Sequence, residues 1–167
     1  RALQPELLDS LDPAHPDALQ NRRDLLLTNR FMGNHRWLAR TVPSLLRPDE
    51  LALEIGAGTG ELGLRLLRRG VVLDGLDLWP RPGHWPADRA WHTADLRTFA
   101  GYGSYAAVLG NLIFHQFSDE ELGAFGAELR RHARVIVACE PVRRRASQTW
   151  FGLVATLLGA NHVGLHD

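Results

Sequence analysis

The sequence predicts an α/β protein with a doubly wound sheet, and three observations carry that prediction. From Leu51 onward, short apolar runs alternate with longer segments of helical period, the order in which parallel strands use helices as crossovers. A glycine-rich loop, Gly56-Ala57-Gly58-Thr59-Gly60, falls between the first such run and the first such helix. With 167 residues, 45% of them hydrophobic and 23% charged, the chain has ordinary globular composition and the length of one domain.

Each element follows from local chemistry. Two helices are expected ahead of the sheet, Pro16 to Asn29 and Asn34 to Leu46, with Pro43 and Pro48 marking the passage into it. Residues 1–47 therefore read as a helical lid and acceptor segment, and residues 48–167 as the core. Leu51 to Ile55 is a buried strand that ends at Gly56. Glu61 to Arg69 is a helix with Leu62 and Leu66 inward and arginines closing its last turn before Gly70. Val71 to Asp77 is the second strand. Three prolines and Gly83 make a loop of the stretch from Leu78 to Ala90. Ala90 to Thr93 and Tyr105 to Asn111 are the third and fourth strands. Ser118 caps a helix from Asp119 to His132, whose first turn holds three acids where the helix dipole favours them. Arg134 to Cys139, apolar after its first residue, is expected as a central fifth strand, and Ser147 to Gly159 as a further helix.

Composition excludes several classes of function. Nineteen basic residues against nineteen acidic ones leave no net charge, so the chain is not a generally basic nucleic-acid binder. All nineteen are arginine, which reflects the coding bias of a GC-rich, bacterial genome and rules out a lysine Schiff base or a P-loop lysine. The longest apolar runs fall short of the roughly 20 residues that cross a bilayer. The amino end lacks the features of a secretory signal. Cys139 is the only cysteine, as expected of a cytoplasmic protein in a reducing compartment.

In a doubly wound sheet ligands sit beyond the carboxyl ends of the strands, so the chemistry is sought there. The glycine loop departs from the dinucleotide fingerprint, because Glu61 stands at its third glycine position. Glu54 puts a carboxylate beside the loop, which suits a ligand with a positive group. Asp77 ends the second strand 21 residues after Gly56, where an acid accepts hydrogen bonds from ribose hydroxyls. Taken singly, Asp77 and Asp95 also fit turns or helix caps.

At Glu54-Ile55-Gly56-Ala57-Gly58-Thr59-Gly60 the sequence resembles the class I S-adenosylmethionine-dependent methyltransferases, of Rossmann-like fold and small-molecule type. The resemblance covers about Leu45 to Gly159. It implies that Gly56, Ala57 and Gly58 contact the methionine part of S-adenosylmethionine, with Glu54 acting through water or orienting the loop. It also implies that Asp77 binds the ribose, that Leu78 packs on the adenine, and that Asp95, within Ala94-Asp95-Leu96, holds the adenine amino group. Asn111, ending the fourth strand, would meet the cofactor's amino acid end. His115 would serve as base or orient the acceptor. Asn29, Asn34, His35 and Trp37 are candidates for acceptor contact in the lid. Trp79, Trp85 and Trp91 could wall the adenine pocket or pack an edge. Arg143 to Arg145 reads as a solvated turn; His162 with His166 has the i, i+4 spacing of a metal pair, but Gly164 and the tail position argue against a formed site, and no metal is expected.

The family's nucleic-acid amino methylases carry a proline-proline-aromatic run after the fourth strand, where this chain has Leu112 and Ile113. The family's sheet ends in an antiparallel hairpin, which is expected to be missing here. The reading is methyl transfer to a small molecule at oxygen or carbon, without nucleic acid or membrane. The alternatives are a cofactor-binding regulatory module and an NAD-dependent oxidoreductase.

Overall fold

The computed structural model of the chain describes residues 32–140, of which Gly33–Glu140 form one compact unit. The readings for the helices over 16–29 and 147–159, for Asn29, for Arg143 to Arg145 and for His162 with His166 lie outside the described residues. Among the described residues five parallel strands form one sheet in the order β3-β2-β1-β4-β5. They are β1 (Leu51–Ile55), β2 (Val72–Asp77), β3 (Trp91–Thr93), β4 (Ala107–Asn111) and β5 (Val135–Cys139). The helices among the described residues are α1 (Asn34–Leu45), α2 (Glu61–Leu67) and α3 (Asp119–His132), with short 3-10 turns at Gly101–Ser104 and Phe114–Gln116. Strand order reverses between β1 and β4, which opens a crevice above their carboxyl ends.

The pleat sends alternate residues of each strand to opposite faces, and both faces are covered. Ala52, Leu73, Ala107 and Leu109 pack with Leu38, Val42, Leu62, Leu66 and Trp85 on the α1 and α2 side. Leu53, Ile55, Leu76 and Val108 pack with Phe114, Phe117, Phe125 and Leu129 on the α3 side. Full burial of such side chains stabilises by roughly 1.5 to 3 kcal/mol each. The register sets Ile55 opposite Leu76 on one side and Gly110 on the other, so the glycine loop, Asp77 and Asn111 leave the sheet at nearly one level.

The α3 cap forms as read. Ser118 Oγ accepts the Glu121 N–H while the Glu121 carboxylate accepts the Ser118 N–H, an arrangement that contributes about 1 kcal/mol. One expectation, the central place of the fifth strand, needs correction, and the places of Pro43 and of the tryptophans become definite. Pro43 lies inside α1, within the span read for that helix. Its position in the last turn still interrupts one helical hydrogen bond, yet Leu38 and Val42 are fully buried and hold the helix on the sheet. The fifth strand is an edge strand among the described residues, since β5 pairs with β4 alone. Ile136 is 38% exposed there, because an unbroken apolar run does not say how many neighbours a strand has. Trp85 and Trp91 are packing residues. Trp85 is buried against Gly60 and Gly63, Trp91 lies against Gly75, and their indole N–H groups donate to Ala90 O and Trp79 O.

Candidate active site

The loop after β1 is shaped by its backbone. Gly56 and Gly58 have φ of +62° and +55°, the left-handed region that other residues enter at a cost. They differ in what surrounds them. A Cβ on Gly56 would lie 2.9 Å from Ile113 side-chain atoms, whereas one on Gly58 would meet nothing within 4 Å. Gly56 is thus pressed against the segment after β4, and Gly58 faces open space. Ala57 is buried, and its N–H donates to Leu76 O over 3.1 Å.

Asp77 joins the loop to the end of β2. Its Oδ2 accepts the Gly58 N–H at 2.7 Å and its Oδ1 accepts the Trp79 N–H at 3.0 Å. The next residue, Leu78, is 55% exposed, an apolar side chain left in solvent beside that carboxylate. Asp95 follows β3, and its Oδ1 accepts the Arg97 N–H at 2.8 Å, so this acid forms a local turn. Its Oδ2 lies 3.7 Å from Arg97 Nη1. Leu96, half-buried, packs on the core of the α3 side.

Glu54 sits below the loop and is 3% exposed. Its Oε2 has no hydrogen-bond partner and lies 2.8 Å from where a Cβ of Gly63 would be. Burial, with the charge of Asp77 second, pushes the carboxyl up to about 8 against a smaller pull from the Gly63 amide. Near neutral pH Glu54 is therefore protonated.

Across the switch point, Asn111 ends β4 half-buried. Leu112 then takes φ of +56° and donates its N–H to Cys139 O. His115 stands in the following 3-10 turn, with Nδ1 2.9 Å from Glu140 Oε2. Glu140 Oε1 accepts the N–H groups of Ile113 and Phe114 at 2.9 and 2.8 Å. Burial works to raise the Glu140 pKa, but the hydrogen bond and charge of His115 with the two amides outweigh it and hold the carboxyl below its usual range. Glu140 was not singled out from the sequence. Its only local signal is an acid directly after a strand, the same signal that marks Asp77, here 25 residues from the histidine it meets.

The three described candidates for acceptor contact differ in state. Asn34 is 8% exposed, and its Nδ2 has no hydrogen-bond partner. His35 is half-buried, and burial followed by the charge of Arg65 lowers its pKa to about 4. Trp37 is half exposed. Among the described residues none of the three hydrogen-bonds to the glycine loop or to Asp77. The described part of the structure contains no group of three or more His, Cys, Asp and Glu that could hold a metal, and no helix in it is long and apolar enough to cross a membrane.

No family model matches the sequence, and no curated protein does. Solved structures do match. The sugar N-methyltransferase KedS8 of a Streptoalloteichus species is 22% identical with a TM-score of 0.53, over 66% of this chain and 49% of its own. DesVI of Streptomyces venezuelae is 24% identical with a TM-score of 0.53, over 69% and 54%. The glycopeptide N-methyltransferase MtfA is 20% identical with a TM-score of 0.51, over 59% and 49%. The chain has the Rossmann-like fold of these proteins and spans about half their length.

Proposed function

We propose that the crevice binds S-adenosylmethionine and that the chain transfers its methyl group to a small-molecule acceptor. The observation that carries this reading is the Asp77 carboxylate, held at the end of β2 by the Gly58 and Trp79 amides beside a loop whose Gly58 is open to a ligand. The residues present suit that nucleoside. A carboxylate has about four acceptor sites, so Asp77 can be oriented by the backbone and still serve ribose hydroxyls. Exposed Leu78 offers an apolar face to a purine, and Asp95, beside Leu96, an acceptor to its amino group. Gly56 and Ala57 shape the loop on which the methionine part rests, Asn111 meets the amino acid end, and neutral Glu54 supports the loop from below without a charge of its own.

S-adenosylmethionine, when bound, supplies an electrophilic methyl group on a sulfonium sulfur. What the chain must do is hold the acceptor in line at roughly 3 to 3.5 Å, which can supply several kcal/mol, and accept a proton where the acceptor atom carries one. His115 is the base in this reading. Two of the matched structures are named for nitrogen acceptors, so nitrogen joins oxygen and carbon as the atom methylated. Asn34, His35 and Trp37, with Asn29 before them, are the proposed acceptor contacts of the lid, which would exclude water.

Titration calorimetry tests the cofactor. Affinity for S-adenosylmethionine and S-adenosylhomocysteine, none for NADH, and a loss of at least about 100-fold in Asp77→Ala are expected; the loss equals about 2.7 kcal/mol. An unchanged affinity in that variant would overturn the reading. Transfer of labelled methyl into a panel of amines, hydroxyl compounds and carbon acids separates an enzyme from a module that only binds.

A further inference from the structure

We infer that the groove between α1 and α2 is a second binding site, which takes a compact anion carrying at least two phosphoryl groups. The groove has a volume of about 420 Å³ and is lined by Arg36 and Ala39 of α1, Arg65 of α2, and Arg68 and Arg69 in the turn after α2. Among the described residues no acid lines it. The four arginines are exposed, and among the described residues none of them is in an ion pair. Elsewhere arginines do find acids, as Arg97 does Asp95, Arg131 does Glu128 and Arg134 does Glu50. Even Glu61, one helical turn before Arg65 and its ordinary partner on a helix, makes no ion pair with it.

Helix electrostatics accounts for three of these cations. Arg65, Arg68 and Arg69 stand at the carboxyl end of α2, where the dipole favours positive charge. Arg36 does not fit that account. It lies in the first turn of α1, which holds no acid and is preceded by Gly33, a cap without a side chain. A cation there stands against the dipole, and an anion shared with the other three arginines offsets the penalty. The field of the cluster reaches its surroundings: burial first and the Arg65 charge second lower the pKa of His35, next to Arg36, to about 4. Guanidinium forks pair with phosphate oxygens two at a time. A phosphoryl group offers oxygens in three directions, so it can engage forks that converge from two helices, whereas a carboxylate offers two in one plane. Four unopposed cations exceed the charge of a single phosphate, and the volume falls within the range of small-molecule sites. Among the described residues no aromatic ring lines the groove for a base to stack on, which argues against a nucleic-acid strand. The groove is also distinct from the crevice. α2 starts directly after the glycine loop, and Arg68 follows Glu61 by roughly 10 Å of helix. The groove would hold its anion whether or not the crevice takes S-adenosylmethionine.

Calorimetric titration of the full chain with inorganic pyrophosphate at low salt tests the site. Pyrophosphate should bind at least about tenfold more tightly than inorganic phosphate or citrate, and its affinity should fall as salt screens the exposed arginines. The double variant Arg36→Gln with Arg68→Gln should lose at least about tenfold. Arg130→Gln, at an exposed arginine of α3 outside the groove, should lose nothing. Should the double variant not fold, Arg69→Gln, at an exposed turn position, takes its place. In a pH titration followed by NMR, the pKa of His35 should rise when pyrophosphate is present, because an anion beside Arg65 cancels part of the charge that lowers it. No binding of pyrophosphate by the parent overturns the proposal. So does an unchanged affinity in the folded variants, an equal affinity for citrate, or a His35 that does not respond. Tighter binding of a single-stranded oligonucleotide than of pyrophosphate overturns it as well, and assigns the groove to nucleic acid.

Discussion

Glu54 and Glu140 stand at the carboxyl edge of the same sheet, on the β1 and β5 sides of the crevice, and meet opposite fates. Glu54 is almost wholly buried, has one carboxylate oxygen without a partner, and is pushed up to about 8. Glu140 is also desolvated, yet two amides and an imidazole hold it below its usual range. Desolvation acts in the same direction on both. What differs is the supply of donors: one weak amide influence against a like charge at Glu54, three well-placed donors at Glu140. Burial alone therefore does not set the charge of a strand-end acid in this protein; it decides at Glu54, and at Glu140 it is overridden by the donors that reach the carboxylate, the His115 ring first and then the loop amides. The β1 and β2 flank is built to present a backbone loop over a neutral acid, and the β4 and β5 flank to keep a charged acid beside a histidine.

The largest test of that contrast is Glu54→Gln. The folded pKa of Glu54 lies above its unfolded value, so its contribution is fully present below about pH 4.5 and is lost as pH rises toward 8. In urea titrations across that window, the variant should gain on the parent by up to roughly 4 kcal/mol. A constant difference between the two would mean that Glu54 is ionised at neutral pH and that the contrast is false. Next comes Gly56→Ala, which probes the place where the flanks touch. Left-handed backbone and the displacement of Ile113 should together cost roughly 3 kcal/mol in the same titrations. If the flanks are coupled as described, the His115 ring resonances should move with it. The smallest effect is that of Glu140→Ala, about 1 to 3 kcal/mol at pH 7 for donors left without their acceptor. Its pH dependence has the opposite sign to that of Glu54. The folded pKa is depressed, so the parent's advantage is present above the unfolded value and disappears as the solution is acidified through the folded one.

Much of the fold was legible because its signals are local. The period of the apolar residues located β1, β2, β4 and α3 to within a residue or two, and Ser118 announced the cap that forms, though not the reciprocal bond from Glu121. The 3-10 turn at Phe114–Gln116 was not read: its own hydrogen bonds are local, but the amides that lead into it, of Ile113 and Phe114, are held by the side chain of Glu140. Nor could Trp85 and Trp91 be told from pocket walls, since the glycines they cover lie in other elements. At the site, Gly56, Gly58 and Asp77 were readable, because a tight loop between strand and helix needs glycine wherever the chain runs. Asp95 forms a turn with Oδ1, one of the two readings given to it, and its contact with an adenine amino group belongs to the proposal.

The sequence by itself determined the alternation of strands and helices, the glycine loop and the acids at the strand ends, because spacing, turn chemistry and capping are properties of neighbours along the chain. Only the tertiary structure decided that β5 lies at an edge of the described sheet, that Glu54 holds its proton while Glu140 does not, and that Glu140 meets His115. Those outcomes depend on desolvation and on donors contributed by distant segments, and neither exists until the strands have assembled.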